Sequence, residues 1–90
     1  MLKLYGKIVK KNNIVQNSVF EMQKEHTNFE DFLSKGLESL CYKFDIGHPI
    51  WLSNNANDMN QVNKTKFKAQ QFIEEIDFDY FEIEYVDDRI

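Results

Sequence analysis

A small α+β domain is what this 90-residue sequence predicts: a β-hairpin, one long amphipathic helix and a C-terminal strand, forming a small antiparallel sheet covered by the helix. Three observations carry that expectation. Apolar residues alternate near both ends of the chain. The middle carries an apolar stripe at spacings of three and four. No linker-like stretch or internal repeat divides the chain, so residues 1–90 read as a single domain.

Residues 2–10 put Leu2, Leu4 and Ile8 on one side and Lys3, Tyr5 and Lys7 on the other, the period of a half-buried strand. Lys11-Asn12-Asn13 follows, and an Asn-Asn pair suits a tight turn because Asn tolerates the left-handed conformation. Ile14, Val15, Val19, Phe20 and Met22 then mark the returning strand.

Thr27-Asn28-Phe29-Glu30 fits a capping box, with the Thr hydroxyl as cap and Glu30 reaching back. Phe29, Phe32, Leu33, Leu37, Leu40, Cys41 and Phe44 form the stripe of the helix, expected to seal one face of the sheet. Gly36 lies on that stripe, where its cost of roughly 1 kcal/mol against Ala implies a close approach to whatever the helix covers. Gly47, with Pro49 after it, is the expected stop.

His48–Leu52 reads as a short strand or buried loop. Ser53–Lys64 is the most polar stretch, and residues 54–75 are expected to hold one or two short extra helices, one capped by Ser53 or Asn55 and carrying Ala56, Met59 and Val62, another near Lys68–Glu74 with Phe67, Ala69, Phe72 and Ile73 about it. Residues 78–86 alternate again, with Phe81, Ile83 and Tyr85 opposite Glu82 and Glu84. Lys3 and Lys7 on the first strand complement Glu82 and Glu84 on the last, so the predicted strand order is 2-1-3.

Composition narrows the function. Eight Phe, four Tyr and one Trp supply a core, and they argue against disorder. A formal charge of −4 with a single Arg, Arg89, disfavours duplex nucleic acid and anionic membranes. No stretch approaches the roughly 20 apolar residues of a membrane span. The N-terminal residues alternate instead of forming a secretion leader, so the expected location is cytoplasmic.

Motifs for chemistry are sparse. His26, His48 and Cys41 lack the spacing of a zinc site, and Cys41 falls on the apolar stripe, which points it inward as an unreactive thiol. The carboxylates from Glu74 to Asp88 lack the glycine of a calcium loop, and no glycine-rich phosphate loop exists. The expectation is therefore no catalytic residue, no metal and no cofactor, and a non-enzymatic protein-interaction module or homo-oligomer working through a protein partner or self-association. Trp51, Tyr5 and Tyr80 are its candidate interaction surface, because aromatic residues dominate binding hot spots. The second strand is the candidate free edge, since Gln16, Asn17 and Ser18 carry no charge to block it.

Two alternatives stand beside that reading. A small-ligand or enzymatic pocket would gather His48, Trp51 and Asp58, with Ser53 within reach in sequence. Single-stranded nucleic acid could be gripped by Lys64, Lys66 and Lys68 around Phe67.

Pro49-Ile50-Trp51-Leu52, Thr65-Lys66-Phe67, Gln71-Phe72-Ile73-Glu74 and Phe78-Asp79-Tyr80-Phe81-Glu82-Ile83 are similar to a group of short uncharacterised proteins of Gram-positive, clostridium-like bacteria. The resemblance implies a stand-alone cytoplasmic protein and carries over no activity and no functional residue.

Overall fold

The computed structural model describes residues 1–23, 25 and 28–87; His26, Thr27 and Arg89 lie outside the described residues. Among the described residues the elements run β1 (Leu2–Lys10), β2 (Asn13–Met22), α1 (Phe29–Phe44), α2 (Ser53–Val62), β3 (Lys64–Lys68), a 3-10 turn (Ala69–Gln71) and β4 (Tyr80–Asp87). All strand pairs are antiparallel and the sheet order is β2-β1-β4-β3.

The terminal strands are neighbours, as their charges require. Lys7 faces Glu82 and bonds it at 3.0 Å, while Lys3 stands opposite Val86 and Tyr5 opposite Glu84. Glu82 both accepts a hydrogen bond from Lys7 and attracts its charge, which raises the Lys7 pKa above its ordinary 10.5. The predicted three-strand sheet is corrected to four strands by β3. Lys64-Thr65-Lys66-Phe67-Lys68 has the period-two pattern of a strand, with Thr65 and Phe67 buried and the three lysines exposed.

The hairpin turns at Lys11 (φ 52°) and Asn12 (φ 65°), one residue earlier than the Asn pair suggests. Lys11 tolerates that conformation because its N–H is held by the Asp79 carboxylate at 2.8 Å. Asn28, not Thr27, caps α1, its side-chain oxygen accepting from the Asp31 N–H at 2.8 Å. The helix ends at Phe44, before the expected Gly47, because Asp45 adopts the left-handed conformation (φ 56°, ψ 49°) and turns its N–H back to Tyr42.

Gly36 meets the expectation of close approach. A Cβ there would lie 2.8 Å from Leu4 Cδ2 and 3.0 Å from Phe20. Gly6 does the same from the sheet, where a Cβ would stand 2.9 Å from Leu40. Between them β1 and α1 bury Leu4, Ile8, Phe32, Leu40 and Cys41, joined by Phe44, Phe67, Phe81 and Ile83. The rest of the α1 stripe departs from the expected seal: Phe29 is exposed, and Leu33 and Leu37 are half-buried. α1 packs on β1 and β2, whereas α2 packs on β3.

The expected short helices are α2, longer than the one or two turns anticipated, and the 3-10 turn, but α2 is capped at Leu52, whose N–H bonds the Asn55 side chain inside the first turn, and not by Ser53 or Asn55. Among the described residues no helix is long and apolar enough to cross a membrane.

Candidate interaction site

The described residues contain no group of three His, Cys, Asp or Glu side chains able to hold a metal. Cys41 is buried, and loss of water around it pushes its pKa up to about 11. His48 is exposed after α1, lining one shallow surface with Glu38, Tyr42 and Asp45 and another with Phe72, Ile76 and Phe78. Asp58 instead accepts a hydrogen bond from Thr65 Oγ1 at 2.9 Å. Trp51 leans on Phe67 (5.7 Å between rings) and walls a groove of about 390 Å³ between α1 and α2, with Phe29, Leu33, Leu37 and Met59. These groups thus face separate surfaces.

The candidate aromatics are separated too. Tyr5 is exposed on the outer sheet face. Tyr80 shares that face but is half-buried beneath Lys66, whose Nζ stands 4.5 Å from the ring centre. Trp51 belongs to the helix side, against Phe67. Lys64, Lys66 and Lys68 line the outer face opposite Glu84, Glu82 and Tyr80, and Phe67 is fully buried. A base therefore has no Phe67 ring to stack on, and carboxylates accompany two of the three lysines.

What distinguishes one part of this surface is its backbone. In an antiparallel ladder, N–H and C=O groups alternate between the two neighbours. Tyr85 N–H bonds the Asn63 carbonyl at 2.7 Å, so alternate residues of β4 turn toward β3 and toward β1. Carried through the registers, Gln16, Ser18 and Phe20 turn their groups to β1, while Asn17, Val19 and Glu21 turn theirs outward. On β3 the same alternation turns Lys64, Lys66 and Lys68 outward.

The β3 edge is occupied. Asn55 Nδ2 donates to the Lys66 carbonyl at 3.1 Å, and Gln71 Oε1 accepts from the Lys68 N–H at 3.2 Å. Asn55 is wholly buried and uses its full capacity: it also donates to Thr65 Oγ1 (2.7 Å), and its oxygen accepts from Leu52 N–H (2.9 Å) and Gln71 Nε2 (2.8 Å). Gln71 Nε2 continues to the Ile50 carbonyl at 3.0 Å. The network closes on itself and leaves no polar group of Asn55 for a ligand.

The β2 edge is open. Among the described residues one side chain meets its outward groups: Lys43 Nζ donates to the Val19 carbonyl at 3.3 Å. From Asn13 to Phe20 the strand has no charged residue, and Ile14 and Val15 are exposed. The absence of charge was readable in Gln16-Asn17-Ser18. The closing roles of Asn55, Gln71 and Lys43 are not legible in the sequence, where Asn55 stands only as a candidate helix cap. The one signal for Asn55 was its place four residues before Met59, on the buried face of α2.

Comparison of the chain with protein-family models, with curated proteins and with solved structures finds no match.

Proposed function

We propose that the chain is a non-enzymatic interaction module that takes up an extended polypeptide segment along β2. One observation carries the reading: a strand without charge from Asn13 to Phe20 leaves its outward backbone groups unpaired among the described residues, save the Val19 carbonyl, while side chains have closed the opposite edge of the sheet. Unpaired strand edges bind extended segments through main-chain hydrogen bonds, and proteins that avoid such pairing place charge or a covering element on the edge. The dispersal of His48, Trp51 and Asp58 favours this reading over a pocket enzyme.

The test compares three tagged baits, wild type, Asn17→Pro and Trp51→Ala, in lysate of cells that also produce the untagged chain. Proline at 17 removes an outward N–H without removing a bond to β1, so folding is retained. The expected result is a specific partner, a second copy or another protein, recovered by wild type and Trp51→Ala and lost with Asn17→Pro. Equal recovery by all three, or no partner at all, overturns the reading.

A further inference from the structure

We infer that the segment taken up by β2 is β2 of a second copy, giving a two-fold dimer whose sheets join edge to edge; this rests on the edge-docking reading above. The argument is self-complementarity. A symmetric antiparallel pair lays the start of each strand beside the end of the other, about a two-fold axis near Asn17. Just before the start stands the exposed Lys11 of the turn, and near the end stands the exposed Glu21. With the axis at Asn17, Glu21 of one copy falls opposite Asn13 of the other, diagonally near Lys11, so one pair of opposite charges stands at each extremity, while the middle, Asn13 to Phe20, carries no charge. The exposed Ile14 and Val15 of one copy come beside the Val19 and Phe20 end of the other. The other edge offers no such match, because pairing β3 with itself would set Lys64, Lys66 and Lys68 against their own copies.

The partner is thus this chain itself, and the recognition chemistry is a main-chain ladder with an ion pair at each end. The Asn17 and Val19 amides gain partners, and Lys43 must release the Val19 carbonyl as the second strand arrives.

Amide hydrogen exchange across a concentration series of the wild-type chain, read beside sedimentation equilibrium, tests this. The expected result is a concentration-dependent dimer in which the Asn17 and Val19 amides become protected, while the β1-bonded Ser18 and Phe20 amides are protected at every concentration. Asn17→Pro should abolish the dimer. Glu21→Lys should weaken it roughly threefold to tenfold, and Lys11→Glu combined with Glu21→Lys should restore it, because the swap preserves the pairing of opposite ends. A chain that stays monomeric, with Asn17 and Val19 unprotected throughout, overturns self-pairing. So does a dimer whose protection maps elsewhere, or one that Glu21→Lys leaves unchanged. If the chain is monomeric and yet a different protein is lost with Asn17→Pro, self-pairing falls and the edge-docking function stands.

Discussion

The two outer strands of the sheet have the same unmet need and opposite solutions. β3 turns Lys64, Lys66 and Lys68 outward, and the neighbouring α2 and 3-10 turn place Asn55 and Gln71 against its backbone. β2 lies under α1, which packs on the inner face of β1 and β2 and, among the described residues, sends Lys43 alone around the edge. The difference teaches that covering a sheet and closing it are separate tasks. A helix laid across a face buries side chains, but main-chain groups at the margin are satisfied only by something standing beside the strand.

The largest effect is expected where the closure is complete. Asn55→Ala removes a buried side chain making four hydrogen bonds and strands the Leu52 N–H, the Lys66 carbonyl and one N–H of the Gln71 amide. At about 1 kcal/mol for each bond lost, the cost should reach about 4 kcal/mol, measured by urea denaturation. A loss below about 1 kcal/mol would show that water can replace Asn55, and the contrast between the edges would shrink.

The second test separates the two sides of β2. Ser18 bonds β1 and Asn17 does not, so Ser18→Pro should cost about 3 kcal/mol while Asn17→Pro, one residue away, costs under about 1 kcal/mol. Equal costs, read from paired denaturation curves, would mean that the outward groups of Asn17 are engaged within the monomer and the edge is not free.

These two tests mark how far the sequence could be read. The hairpin, α1, β4 and the adjacency of the first and last strands follow from periodicity and from Lys7 facing Glu82, patterns written in consecutive residues. β3 escaped because five residues of alternating lysine look like a basic patch until a neighbour supplies the ladder. Asn55 escaped for a different reason. A buried polar side chain is defined by its partners, and three of the four partners of Asn55, Thr65, Lys66 and Gln71, lie ten or more residues away. The open edge of β2 was legible as missing charge, whereas the closed edge of β3 required coordinates. Tyr5, Tyr80 and Trp51 show the same limit, because exposure could be guessed residue by residue but a shared surface could not.

A third, smaller effect probes the face that α1 does close. Cys41 sits at the α1–sheet contact with its pKa raised from 9.0 to about 11 by burial. Between those values the unfolded chain has released the thiol proton and the folded chain still holds it. Stability from this group is therefore present below pH 9 and falls as pH rises toward 11, by at most about 3 kcal/mol. Cys41→Ala should remove that part of the alkaline loss, seen as a shallower fall in melting temperature over the window. Identical slopes in the two chains would mean that water reaches the thiol and that the covered face is looser than its packing implies.

The smallest effect on the fold belongs to Lys43, and it bears most directly on the comparison. Its bond to the Val19 carbonyl is exposed at 3.3 Å, so Lys43→Ala should change stability by under about 0.5 kcal/mol. Association should respond in the opposite sense. Without Lys43 the Val19 carbonyl has no competitor for an incoming strand, and the edge is free from Asn17 to Glu21. The dimer should tighten by roughly twofold to fivefold in sedimentation equilibrium. A weaker dimer would assign Lys43 to the contact itself, as a donor to the arriving strand, and would make α1 part of the docking surface instead of the edge's partial guard.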